Sequence, residues 1–414
     1  MEKFGRFDYI KITLLGFAIT AMWQALHTII LPLRVADFVG DADKNTYLGI
    51  LTFAGLLLAM VAQPIAGALS DRSGFRWGRR RPYILLGCLL CLPLLAGIGF
   101  ASSFTMLFAI YGLLQLASNT AQGPYQAFIP ELAPPGKRGT AAGVKSFLEI
   151  AGGAAMLYPV ALLLDNYNGG EEAIWLWGAL TLLGGLLLAM TAATVLLVKE
   201  RPGVAAPRQS LLASVFRPFR VDLRSHRSFA WFLASRLLFF MAFTTIQQFA
   251  LNFATDVIGV ENPAQATAKF LIIAVAGMLL VVYPAGQVSD RLGRKPIAAA
   301  SGLLAAAGVA VIFISHSYTA MLVAAGMLGV AVGAFNSTNW ALATDLVARG
   351  EEARYLGLAN MATAGGAALA RLIGPVIDFF NRTGPGLGYQ VMLAVSIVYF
   401  VAGALLLYKI KGHH

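Results

Sequence analysis

The chain has 414 residues, 58% of them hydrophobic and 12% charged, with a formal net charge of +11. A water-soluble protein carries about 25% charged residues, so this composition excludes a soluble enzyme with a single solvated surface, and it excludes disorder. Two cysteines, Cys88 and Cys91, imply no disulfide framework and read as small apolar packing residues.

Twelve apolar segments follow in chain order: 10–33, 46–69, 83–101, 104–128, 140–164, 173–197, 229–251, 268–289, 296–315, 318–343, 356–378 and 388–408. Each is about 19–26 residues, enough to cross ~30 Å of hydrocarbon as a helix. Lipid leaves backbone groups no outside partner, so helices rather than barrel strands are expected. The first run is too long for a signal core, and no cleavable leader is expected. Placing the N-terminus in the cytoplasm leaves four basic residues outside, Arg34, Lys44, Lys269 and Arg382, and three within spans, Lys145, Arg236 and Arg371. All others then face the cytoplasm, as the positive-inside rule requires. The outer loops are acidic, with Asp37, Asp41, Asp43, Asp165, Glu171, Glu172, Asp256, Glu261 and Asp378. The positive charge is therefore topological, and no nucleic-acid partner is expected.

Between spans six and seven, residues 199–228 carry Lys199, Arg201, Arg208, Arg217, Arg220, Arg224 and Arg227, with prolines at 202, 207 and 218. This stretch reads as a cytoplasmic linker, in part an amphipathic surface helix. It divides an N-terminal six-helix bundle (1–198) from a C-terminal one (229–414). The halves repeat each other. Gly67-Ala-Leu-Ser-Asp71-Arg72 matches Gly286-Gln-Val-Ser-Asp290-Arg291-Leu-Gly293-Arg294. Ala151-Gly-Gly-Ala-Ala with Asp165 matches Ala364-Gly-Gly-Ala-Ala with Asp378 at the same spacing. Paired halves are the usual build of a secondary transporter. Gly152, Gly153, Gly365 and Gly366 read as close-packing positions.

Ionisable side chains inside a span are costly and face a cavity or one another. Glu149 lies roughly 13 Å into span five, with Lys145 one turn before it on the same face. The second half has Leu358 and Ala362 in those places. A feature that breaks the internal symmetry points to chemistry, here a carboxylate that loads and releases a proton. A structural pair, with Lys145 snorkelling to the cytoplasm, is the alternative. Arg371 sits deep in span eleven and is a candidate for a substrate oxygen; Arg236, about 10 Å into span seven, snorkels more readily. A sugar needs amides, charges and an aromatic platform. Span one offers Trp23, Gln24 and His27; span four, Gln115, Asn119 and Gln122; span seven, Gln247, Gln248 and Asn252; span ten, Asn336, Asn339 and Trp340. Interhelical hydrogen bonding is the plainer use of such amides, and packing the plainer use of His27, whose ordinary pKa would otherwise suit a proton relay.

The loop Asp71-Arg72-Ser-Gly-Phe-Arg76-Trp77-Gly78-Arg79-Arg80-Arg81-Pro82 resembles the loop motif of the major facilitator superfamily. Its Trp-Gly-Arg-Arg-Arg-Pro extension, with Ala117-Ser118-Asn119-Thr120-Ala121-Gln122-Gly123-Pro124, is similar to plant sucrose transporters and to the glycoside–pentoside–hexuronide:cation symporter group. The resemblance implies an all-α membrane protein with twelve transmembrane helices in two pseudo-symmetric halves, the major facilitator fold. It implies spans one, four, seven and ten around a central cavity, alternating access, and a sugar carried with protons. One departure stands out: where sucrose transporters keep an aspartate in span four, this chain has Gln115, which cannot exchange a proton. Asp71, Arg72, Arg79, Arg80 and Arg81, with Asp290, Arg291 and Arg294, are expected to form a cytoplasmic gate, the aspartates anchored at helix N-termini. Topogenic charge alone is the alternative.

No phosphate-binding G-x-x-x-x-G-K-[ST] occurs, so ATP is not expected to drive the protein. No cofactor, metal cluster or nucleophile–base pair is expected, and no enzyme. The expectation is a monomeric sugar transporter of the inner membrane, with both termini cytoplasmic. An exporter or antiporter of amphipathic compounds and a non-transporting assembly factor remain open, as do sodium coupling and plain facilitation.

Overall fold

The computed structural model describes residues 4–167, 173–200, 226–346 and 352–410, within which the side chains at 344, 352–354 and 356 are not described. Most of the expected linker, 201–225, and Glu171 and Glu172 of the acidic loops lie outside the described residues. Among the described residues the secondary structure is all helical, and twelve helices are long and apolar enough to cross a membrane. They are α1 (Arg6–Phe38), α2 (Lys44–Asp71), α3 (Arg81–Phe100), α4 (Phe104–Leu132), α5 (Pro135–Leu164), α6 (Ala173–Leu197), α7 (Arg227–Ile258), α8 (Pro263–Leu292), α9 (Arg294–Ile314), α10 (Tyr318–Ala343), α11 (Gly357–Asn381) and α12 (Leu387–Tyr408).

Several spans outrun their apolar cores. The first was expected over 10–33 but continues to Phe38, because Arg34 and Asp37 pair with each other at 2.5 Å and keep the polar end helical. Two helices change pitch just ahead of a proline two residues on. A π-helical turn at Leu26–Ile30 precedes Pro32, and a 3-10 turn at Arg371–Ile373 precedes Pro375. Proline brings no N–H, and the neighbouring turn re-forms its bonds at another spacing.

The chain groups into two compact units. Among the described residues up to 200, all but 39–53 belong to the first; 39–53 join those from 226 onward in the second. The same neighbours recur in each. In the first unit α1 packs on α5 and α6, and α3 on α4 and α6; in the second α7 packs on α11 and α12, and α9 on α10 and α12. A methyl group on Gly152 of α5 would strike the carbonyl of Phe17 on α1, and one on Gly366 of α11 would strike that of Leu237 on α7. These two glycines do bring backbones together; Gly153 has ordinary clearance and Gly365 open space.

Candidate functional site

Three polar clusters gather most of the expected residues. The first joins α1 and α4. Trp23 donates from Nε1 to Ser118 Oγ at 2.9 Å. The Tyr111 hydroxyl lies 2.9 Å from His27 Nε2 and accepts from Gln115 Nε2 at 2.8 Å. Asn119 donates to the Gln115 carbonyl at 2.8 Å, and Trp23 stacks on His27 with centroids 5.1 Å apart. So Trp23, His27, Gln115 and Asn119 form one network, through Tyr111 and Ser118, two hydroxyls that an inventory of amides and charges does not contain. The spacing held the signal: 111, 115, 118 and 122 fall on one helix face. Gln24 turns to Thr28 of its own helix at 3.0 Å. Half-buried Gln122 has no hydrogen-bond partner among the described residues.

The second cluster lies on α5. Lys145 Nζ and Glu149 Oε1 are 3.6 Å apart, with side chains 21% and 32% exposed. The ammonium stands 5.4 Å from the centre of the Tyr125 ring. Tyr125 donates to the Thr13 carbonyl at 2.8 Å and accepts from the Gly16 amide at 3.1 Å. A side chain on Gly16 would displace both the Tyr125 hydroxyl and the Glu149 carboxylate, so the first turn of the helix Leu14–Ala25 is bare where the carboxylate approaches.

The third cluster is in the second unit. Arg236 on α7 donates to Asn339 Oδ1 on α10 at 2.6 Å and to Thr363 Oγ1 and the Ala359 carbonyl on α11 at 2.8 and 3.1 Å. Its guanidinium faces Phe240 and Trp340 at 5.2 and 5.4 Å. Arg236 is buried, not snorkelled. Other expected contacts fall elsewhere. Buried Asn252 donates to Asn45 Oδ1 at 2.8 Å, and Asn45 donates to Asp378 at 2.8 Å. Arg371 is buried and donates to the Ala367 carbonyl of its own helix. Gln248 is buried, whereas Gln247 and Asn336 are half-buried without a hydrogen-bond partner among the described residues.

The arginine loop corrects one expectation. Asp71 and Asp290 sit in the last turns of α2 and α8, not at helix N-termini. The amides before α3 are taken by Glu200, which accepts from Arg80 and Arg81 at 2.9 Å each. Gly78, with φ of +123°, leaves the space that Glu200 fills. Burial pushes the Glu200 carboxyl above its ordinary 4.5, although those amides pull the other way. Arg80 bridges Asp71 and Glu131 and donates to Ser70 Oγ at 2.5 Å; Arg79 meets Glu131 at 2.7 Å. Burial works against the Arg80 charge, but Glu131 and Asp71 outweigh it and hold its pKa up. Arg81 donates to the Trp77 carbonyl at 3.1 Å, and Arg72 is half-buried. In the second unit Arg294 reaches Asp290 at 3.7 Å and also pairs with Asp345, while Arg291 is exposed.

No group of three or more His, Cys, Asp or Glu that could hold a metal occurs among the described residues. The arrangement offers hydrogen bonds, charge and aromatic faces within membrane-crossing helices. Comparison with known proteins agrees. The rice (Oryza sativa subsp. japonica) sucrose transport protein SUT1 is 37% identical over 109 residues, 21% of this chain and 20% of that protein. The Arabidopsis thaliana sucrose transport protein SUC3 is 30% identical over 123 residues, 24% and 21% of the two chains. The chain thus spans only about a fifth of the length of these curated relatives. Among solved structures, the nucleoside transporter NupG superposes with a TM-score of 0.75 at 15% identity, covering 98% of this chain and 99% of that one. A D-xylose-proton symporter gives 0.71 at 16%, covering 99% and 98%. These likenesses show the major facilitator fold. A family model described as MFS/sugar transport protein matches residues 13–409, nearly the whole of the described chain, and it is to this family of sugar transporters that the chain belongs.

Proposed function

We propose that this protein is a secondary active transporter that carries a sugar, a disaccharide or glucoside, inward across the cytoplasmic membrane together with a proton. It works as a monomer by alternating access, with both termini in the cytoplasm and no cofactor or catalytic step. The Glu149–Lys145 pair carries the reading. It is a carboxylate within a membrane span, held by one flexible ammonium at 3.6 Å and still a third exposed. A carboxylate with a single loose counter-charge is suited to exchanging a proton as its surroundings change. Gln115 cannot do so, and Glu149 takes over the part that an aspartate plays in span four of the sucrose transporters. Trp23, His27, Gln115, Asn119 and Gln122 supply sugar contacts from the first unit; Asn336, Asn339, Trp340 and Arg371 supply them from the second. The sucrose transport proteins and the D-xylose-proton symporter among the similar proteins support both sugar and proton. The salt links of Asp71, Arg79, Arg80 and Arg81, and of Asp290 and Arg294, act as the gate.

The test is uptake of labelled disaccharides into proteoliposomes with an imposed pH gradient. Wild-type protein is expected to accumulate sugar when the interior is alkaline. Glu149→Gln is expected to lose accumulation yet keep sugar exchange in the absence of a gradient. Undiminished gradient-driven accumulation by Glu149→Gln removes the carboxylate from the mechanism.

A further inference from the structure

Four basic residues lie towards the span ends away from the arginine loops: Arg34, Lys44, Lys269 and Arg382. Three of them meet an acid. Arg34 pairs with Asp37 at 2.5 Å, Lys44 with Asp256 at 2.7 Å, and Arg382 with Asp43. Lys269 is the exception: it is exposed and meets no carboxylate among the described residues. It stands in the second turn of α8, which begins at Pro263. A lone ammonium at this end of a span, where the loops are otherwise acidic, is not explained by topology.

Lys269 lines a recess of about 400 Å³ together with Glu261, Asn262, Gln265 and Tyr318, between the turn that joins α7 to α8 and the start of α10. The recess holds a cation and an anion, and the two stand at different depths. Glu261 precedes the helix, whereas Lys269 lies six residues beyond Pro263, about 9 Å along the axis. A phospholipid presents its charges in the same order. Its phosphate adjoins the glycerol and the acyl chains, the level at which a lysine near a span end carries its ammonium. A headgroup amine lies beyond the phosphate, nearer water. A soluble zwitterion has no such fixed order, and a neutral sugar brings no charge for either residue. Apolar surface accompanies the polar lining: Val260 lines the same recess, and Ile314, which ends α9 four residues before Tyr318, is 81% exposed. The Glu261 carboxylate can accept hydrogen bonds from a primary ammonium; a trimethylated one has no N–H to give.

We propose that this recess binds a membrane phospholipid and selects phosphatidylethanolamine, with Lys269 at the phosphate and Glu261 at the primary ammonium. Asn262, Gln265 and Tyr318 supply further donors and acceptors. The occupant is a lipid of the surrounding leaflet rather than a transported solute, so the site stands whether or not the sugar reading does.

The test uses delipidated protein in detergent and native mass spectrometry. Phosphatidylethanolamine, phosphatidylcholine and phosphatidylglycerol with identical acyl chains are titrated in, with soluble phosphoethanolamine as a fourth arm. Wild-type protein is expected to bind phosphatidylethanolamine roughly ten-fold more tightly than phosphatidylcholine, the effect of one charge-assisted contact. Glu261→Gln is expected to bring phosphatidylethanolamine down to the level of phosphatidylcholine and to leave the latter unchanged. Lys269→Gln is expected to weaken both alike, because both carry the phosphate. A phosphatidylethanolamine with a photoreactive group at the top of one acyl chain is expected to label residues within 257–270 or 314–321, which locates the site without any substitution. Equal binding of the ethanolamine and choline lipids, a preference for phosphatidylglycerol, labelling confined elsewhere, or variants that bind as wild type does each overturn the proposal. So does displacement of phosphatidylethanolamine by an equal concentration of phosphoethanolamine, which would make the recess a site for a soluble zwitterion.

Discussion

At one end of each unit an aspartate takes the hydroxyl of a tyrosine, but the two units balance that aspartate differently. Asp37, at the end of α1, accepts from Tyr167 at 2.5 Å and pairs with Arg34 one turn back on the same helix. Asp256, near the end of α7, accepts from Tyr389 at 2.6 Å, and its cation is Lys44, the first residue of α2, at 2.7 Å. The first pair is local and forms with its own helix. The second spans 212 positions and must await the folding of the later half. Asn45 and Thr46 strengthen the distant version, donating to Asp378 at 2.8 and 2.6 Å. Residues 39–53 are thereby committed to the second unit, although by sequence they belong to the first half.

Removing the local cation has the largest expected effect. Arg34 also donates to the carbonyls of Ala101 at 2.6 Å and Ile98 at 3.3 Å and to Tyr167 at 2.9 Å. Arg34→Ala strands all of these with Asp37, and a loss of about 3–5 kcal/mol is expected, read as a lower melting midpoint in detergent. An unchanged midpoint would dissolve the contrast between the two ends. Lys44→Met is expected to cost less, about 2–3 kcal/mol, because Asp256 keeps Tyr389 and is 25% exposed to solvent. Lys44→Arg should recover most of it, and failure to do so would mean that packing rather than charge holds the segment. The smallest expected effects come from Tyr167→Phe and Tyr389→Phe, each about 1–2 kcal/mol near neutral pH. Burial and the bond to Asp37 push the Tyr167 hydroxyl up to about 12. The folded state thus holds that proton more tightly than the unfolded chain, so its contribution is complete below the ordinary value of 10 and is lost as pH rises towards 12. Melting midpoints across that range should fall less steeply for Tyr167→Phe than for wild type; parallel curves would count against the hydroxyl's burial.

The fold was legible because lipid enforces it. Every span must be apolar and helical over a fixed length, and no polar detail alters that. The Lys145–Glu149 pairing was legible for a like reason, since four positions along one helix determine who meets whom. Partners on different helices were not. Glu131 meets Arg80 across 51 positions, Glu200 across 120, and Asn45 meets Asn252 across 207. Periodicity says nothing of such distances. Tyr111 and Ser118 share a face of α4 with Gln115, but a lone hydroxyl in a span, unlike an amide or a charge, carries little signal of its own. The repeated loop motif suggests helix starts at Asp71 and Asp290, whereas α2 and α8 run through to those aspartates.

Glu200 has a practical bearing. Because its carboxylate grips main-chain amides at the head of α3, the segment leaving α6 is pinned at Glu200. A cut, or an inserted fluorescent module, placed beyond that anchor leaves the preceding bundle's last residue where it was. Separately translated fragments divided there, or reporters spliced in there, therefore begin from a fixed mooring rather than a loose end.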